Sequence, residues 1–375
     1  MIGWEQLHAW QRDWRAVRPE AIRVRQEFLR RAPSRDSALF IQALLQVRAG
    51  RRELIKDYAA PFLHQLSLDS SVASTPHLDR LLTLALKHHP DGVPDPRRWF
   101  EGVSLYDQAL AVARIEFKDP FESVGRDLEW LIDFLSDKAF KDDYQRIALH
   151  AYHDPNNAYI VTKQNIAIDA TLVRPGLIPK VYSFDCRRIK NGGIAFMDDR
   201  IKSAFSVWLK IGRKMQEGEV TPTYNVTDRR GLLFVLPTMR NVQTFSQLLL
   251  KKLVKDGAKV LEELTVASAG KPVDPTNKHS SHLFCAAKML VEWGAEGQEY
   301  EIQFMTFHDY LTSKRSLTDA NHELYKQRQA FEYAFPHLWP KDIYGIDWAD
   351  PVVRQELRGW KMDQLGWHVN EKFAV

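Results

Sequence analysis

The sequence predicts an α+β protein in which a mixed β-sheet flanked by helices follows an all-helical N-terminal domain. Three observations predict it. Residues 1 to about 150 place apolar side chains three and four apart, the repeat of a helix face. Beyond them, apolar residues recur at every second position in short runs, the repeat of a half-buried strand. Between those runs lie helical stretches at 198–217, 240–255 and 307–334. Strands interleaved with helices behind a helical region imply an α/β or α+β module of catalytic type. The expected domains are 1–155, helical and suited to regulation; 156–335, carrying the sheet; and 336–375, an aromatic-rich C-terminal extension.

In chain order, Trp4, Leu7, Trp10, Trp14 and Val17 share one helical face, which Pro19 closes. Asp36 or Ser37 is placed to cap the run ALFIQALLQVRAG, expected to end at Gly50. FESVGRDLEWLIDFL sets Phe121, Val124, Leu128 and Leu131 on one face. No strand is expected before residue 150. The strand candidates are NIAIDATLV, KVYSFDC, GLLFVL, SHLFCAAKMLV and YEIQFMT. The tail is expected to be irregular after Pro336, then helical over DPVVRQELRGWKMDQLG.

A chain of 375 residues buries a sizeable core, and its 45% apolar and 27% charged composition is that of a globular protein, not a disordered one. A net charge of +4 attracts phosphates without the field of a nucleic-acid coat. Cys186 and Cys285 are too few for a disulfide framework. With no apolar stretch of membrane-spanning length and no leader pattern at its start, the chain is expected to be cytoplasmic, with no membrane partner. The 11 tryptophans read as core or docking surface.

Within YEIQFMT (300–306), Tyr300, Ile302 and Phe304 share one side while Glu301 and Gln303 share the other. Solvent is the plain explanation for a carboxylate and an amide side by side; partners elsewhere in the chain are the sharper one. RIKSAFSVWLK (200–210) offers Arg200 and Lys202 at strand-end spacing, then Ser206 and Lys210 on one helical face. A helix starting near Ser203 aims its free N–H groups at an anion, unless the stretch is simply a solvated basic helix. Asp228 and Gly231 precede the run LLFVL, where a carboxylate meets ligands or merely forms a turn. His282 introduces a strand after a polar loop.

In this order the pieces resemble the synthetase domain of the RelA/SpoT family, the alarmone (ppGpp) synthetases. The family pattern R-x-K-x-x-x-S-x-x-x-K, D-x-x-G, Y-x-S-x-H and E-x-Q-x-x-T is matched by Arg200, Lys202, Ser206 and Lys210; Asp228 and Gly231; Ser280 and His282; and Glu301, Gln303 and Thr306. The resemblance covers about residues 190 to 330, and HDYLTSKRSLTDANHELYK is similar to the helix that follows the family's E-x-Q strand. It implies a nucleotidyltransferase-like synthetase fold that transfers the β,γ-pyrophosphate of ATP to the 3′-hydroxyl of an acceptor nucleotide. It further implies Asp228 and Glu301 as catalytic acids holding Mg²⁺, with Glu301 drawing the proton from the hydroxyl. Arg200, Lys202, Ser206 and Lys210 would bind ATP, while His282, Gln303 and Lys278 would bind the acceptor. Pyrophosphoryl transfer calls for such types, with hard oxygen ligands for Mg²⁺ and cations for the phosphates.

Two positions depart from the pattern. Leu233 stands where the family usually has an arginine, and Lys278 where it has a guanine-stacking tyrosine. The expected product is an alarmone of the ppGpp or ppApp kind. A toxic pyrophosphokinase acting on the tRNA 3′ end and a catalytically degenerate nucleotide-binding regulator are the alternatives. The N-terminal helices are expected to gate the synthetase or to meet an antitoxin or other regulatory partner. The stretches KHHPD (87–91) and HAYHD (150–154) read as loops lacking a full set of metal ligands.

Overall fold

The computed structural model describes residues 38–69, 72–73, 81, 95–153, 159–164, 178–216, 229–266, 286–316, 318 and 320–370. Helices of eight or more residues are α1 (Ala38–Tyr58), α2 (Pro96–Lys118), α3 (Phe121–Ala139), α4 (Ala204–Gln216), α5 (Met239–Lys255), α6 (Phe307–Arg315), α7 (His322–Gln329) and α8 (Pro351–Asn370). Strands are β1 (Phe140–His153), β2 (Tyr159–Gln164), β3 (Ile178–Ile189), β4 (Ile194–Ile201), β5 (Arg230–Leu236), β6 (Lys259–Val266), β7 (Ala287–Trp293) and β8 (Gln298–Thr306). The protein is therefore α+β with a mixed sheet and flanking helices.

The chain forms two compact units, each assembled from separate stretches. The first comprises Met1–Phe121, Ser203–Tyr224 and Ala330–Leu357; the second comprises Glu122–Lys202, Asn225–Gln329 and Arg358–Val375. The boundary expected at 155/156 falls inside the second unit, because β1 pairs with β3 along most of its length, from Phe140↔Ile189 to His153↔Ile178.

In the first unit α1 continues past Gly50 to Tyr58. Gly50 is not a terminator but a contact point: a Cβ there would stand 2.1 Å from the Phe205 ring of α4. Asp95 caps α2 by accepting from the backbone N–H groups of Arg97 (2.9 Å) and Arg98 (3.1 Å), and Pro96 occupies the first turn, where its missing N–H costs nothing. Short helical turns over 330–344 bring in the aromatic residues. The Arg51 guanidinium lies 5.0 Å over the fully buried Trp339 ring, and the Trp339 indole N–H donates to the Leu66 carbonyl at 3.0 Å. Trp348 in turn donates to the Trp339 carbonyl at 2.6 Å. Trp4, Trp10 and Trp14 lie outside the described residues.

In the second unit an eight-stranded sheet runs in the order β2-β1-β3-β4-β5-β8-β7-β6. β5 and β8 run parallel, the other described neighbours antiparallel. Both are buried along nearly their whole length, as central strands covered on two faces are. One face packs Phe234, Tyr300, Ile302 and Phe304 against Leu128, Leu131 and Leu135 of α3 and Phe245 and Leu249 of α5. On the other face Val235 meets Phe184, Cys186, Phe307 and Leu311. Burial pushes the Cys186 thiol up to about 12.

KVYSFDC, GLLFVL and YEIQFMT lie in β3, β5 and β8, whereas NIAIDATLV and the first half of SHLFCAAKMLV lie outside the described residues. β1, β2, β4 and β6 are strands that periodicity does not announce. The expected helix from 198 is one of these cases: Asp198–Ile201 completes β4, and the helix begins at Ala204. Likewise His150 and His153 of HAYHD lie on β1, not in a loop. α3 buries Val124, Leu128 and Leu131 as expected, but Phe121 is exposed.

Candidate functional site

The register of the second unit's sheet brings the site together. Arg200 of β4 pairs with Gly231 of β5, and Gly231 pairs with Glu301 of β8, so the three lie in one row across neighbouring strands. Pairwise-opposed residues share a sheet face, and Gly231 leaves the middle of that row without a side chain. A Cβ built on it would stand 3.4 Å from the Arg200 carbonyl oxygen and 3.7 Å from Nε, so the arginine packs against the bare backbone of Gly231. Arg200 thereby reaches across β5, placing Nη2 3.6 Å from Glu301 Oε1.

Glu301 is buried, its side chain 6% exposed, whereas Arg200 and Lys288 are 45% and 44% exposed. A carboxylate taken out of water is tolerated only when paired and hydrogen-bonded. Its pairing is close. Lys288 Nζ of β7 lies 2.7 Å from Oε2, and the Gln303 amide donates to Oε1 at 2.7 Å. The acid and the amide of E-x-Q thus share a hydrogen bond along one strand face. Thr306, the last residue of that motif, has a local task as well: its hydroxyl accepts from the Asp309 N–H at 3.1 Å and caps α6.

Around Arg200 the field is positive. Lys202, just past β4, donates its N–H to the Arg229 carbonyl at 3.0 Å. His322, at the start of α7, is held down at about 3 by burial first, then by the charges of Lys326, Lys314, Arg200 and Lys202. The imidazole is therefore neutral near pH 7. Burial also lowers the Lys314 pKa, against the pull of Asp198. Glu323 offsets part of the field, 3.7 Å from Lys326 and 3.8 Å from Lys361.

Of the residues expected from sequence, Arg200, Glu301 and Gln303 meet in one patch, and the charge of Lys202 reaches His322 beside it. Ser206 and Lys210 lie on α4, which belongs to the first unit, so the R-x-K-x-x-x-S-x-x-x-K stretch crosses from one unit to the other. There the Ser206 N–H donates to Ser203 Oγ at 3.2 Å, which makes Ser203 the capping residue. Asp228, Lys278, Ser280 and His282 lie outside the described residues. Sequence reading overlooked Lys288, Lys314, His322 and Lys326. The one signal for Lys288 was a lone cation inside the apolar run AAKMLV.

Magnesium requires oxygen ligands in near-octahedral array. Both oxygens of Glu301 face N–H donors, from Gln303 and Arg200 on one side and Lys288 on the other. Among the described residues no group of three or more His, Cys, Asp or Glu could hold a metal ion. As arranged, the described residues do not fit the ion. They fit an anion. Among the described residues no helix is long and apolar enough to cross a membrane. No protein-family model matches the chain, and no curated protein matches it either.

Proposed function

We propose that this protein is a nucleotide pyrophosphokinase, transferring the β,γ-pyrophosphate of ATP to the 3′-hydroxyl of an acceptor nucleotide. The acceptor 3′-oxygen forms a bond to the β-phosphorus, and the bond from that phosphorus to the α–β bridging oxygen breaks. AMP leaves with that oxygen, and the hydroxyl proton passes to a carboxylate, for which Glu301 is the candidate. A carboxylate has about four lone-pair sites; Gln303 and Lys288 stand at hydrogen-bond distance from it, and Arg200 lies 3.6 Å away as an ion pair.

The observation that carries this reading is the convergence of Arg200 and Glu301 over Gly231, residues separated in the chain but belonging to motifs that occur in the order of the RelA/SpoT synthetases. In this reading Arg200 and Lys202 neutralise charge on the phosphates, which is most of what such transfer asks of a protein. Gln303 holds the orientation of the Glu301 carboxylate.

The test is direct. Full-length protein is incubated with γ-³²P-ATP as its magnesium salt and, separately, GDP, GTP, ADP and bulk tRNA, and the products are resolved. Label on a nucleotide supports the proposal, and Glu301→Gln is expected to lower transfer at least about a hundredfold, as loss of a general base does. Label on tRNA alone transfers the reading to a tRNA-modifying toxin; no label on any acceptor overturns the enzyme.

A further inference from the structure

We propose that Lys288 is a phosphate-binding residue of this site, held for that task by Glu301; the inference builds on the polyphosphate reading above. Lys288 pairs with Gln303 across β7 and β8, so its side chain leans along the diagonal to bring Nζ 2.7 Å from Glu301 Oε2. The residues before and after it, Ala287 and Met289, belong to the buried core on the opposite face. A long, strongly hydrated cation on an interior strand loses rotamer freedom when its ammonium is held against a buried carboxylate. The arrangement is explained by what it presents. One buried carboxylate carries two half-exposed cations on either side, Lys288 at 2.7 Å and Arg200 at 3.6 Å.

A carboxylate that binds two cations leaves a net positive pair at the surface. Lys202, Lys314 and Lys326 lie on the Arg200 side, where with Arg200 they act on His322 after burial does. Among the described residues the carboxylates Asp198, Glu301 and Glu323 meet these cations, and the sheet register sets Glu292 and Glu299 on the same face as Lys288 and Glu301. Arg200 offers a planar fork and Lys288 a point charge, a combination suited to neighbouring phosphates of one polyphosphate chain.

The experiment is titration calorimetry of full-length protein with inorganic tripolyphosphate and with α,β-methylene-ATP, whose carbon bridge prevents transfer. Lys288→Met is expected to weaken both about tenfold, the value of one charge-assisted hydrogen bond, and Lys288→Arg to stay within about threefold of wild type. Lys288→Gln, checked with Lys288→Met by thermal melting, supplies a second neutral variant should the first not fold. Neutral variants that fold and bind as wild type does overturn the assignment, even if ATP transfer is found. If tripolyphosphate binding depends on Lys288 but no acceptor is labelled, the phosphate site stands and the pyrophosphokinase falls.

Discussion

Arg200 lies over Gly231: the Cβ that the glycine lacks would stand 3.7 Å from the arginine's Nε. That distance is ordinary van der Waals contact, so one added carbon is accommodated, whereas a branched side chain would fill the path by which Arg200 reaches Glu301. Gly231→Ala is expected to keep wild-type affinity for tripolyphosphate within about threefold, and Gly231→Val to lose about tenfold while costing about 1–3 kcal/mol of stability through overpacking. Equal affinities for the two variants would show that Arg200 does not need that path.

A buried ion pair at the entry to β5 anchors the same strand. Arg230 Nη2 lies 2.6 Å from Asp127 Oδ2 of α3, and Nε of the same side chain donates to that oxygen at 3.1 Å. Their side chains are 9% and 18% exposed, so removing one charge leaves the other in a poorly hydrated place. Asp127→Ala is expected to destabilise by about 3 kcal/mol, and Asp127→Ala with Arg230→Met to restore part of that. Urea denaturation of the single and double variants is the measurement; a single variant as stable as wild type would remove the pair from the anchoring of β5.

Acid destabilisation has a named contributor in His322. Its folded pKa is depressed to about 3 from 6.5, so between those values the unfolded chain takes up a proton that the folded chain refuses. Stability from this group is complete above pH 6.5 and falls as pH drops toward 3, by up to about 1.4 kcal/mol per pH unit. His322→Asn is therefore expected to lose less stability than wild type between pH 6.5 and pH 5, by about 2 kcal/mol at most. Parallel pH slopes for the two proteins would contradict this.

The sequence made the central strands legible and left the outer ones hidden, for a physical reason. β5 and β8 are buried on both sides, so their apolar composition announces them. β1 reads FKDDYQRIALHAYH and β6 reads KVLEELTV, in which charge obscures the period-two signal; β4 ends in DDRI and joins directly onto a helical stretch. Glu301, Gln303 and Arg200 were legible because their spacing carried a motif. Lys288 was not, because its role arises from a cross-strand register that no local pattern encodes. Gly50 was misread for the same reason: its need for a bare backbone comes from Phe205, far along the chain.

The interleaving of the two units sets a timetable for synthesis. Trp339 and Trp348 complete the interior around Arg51, so a nascent chain on the ribosome has already exposed the whole strand-forming stretch before the first unit can close. All eight described strands, from Phe140 to Thr306, therefore leave the ribosome before the segment that completes the first unit, and the last stretch of the second unit follows only after that.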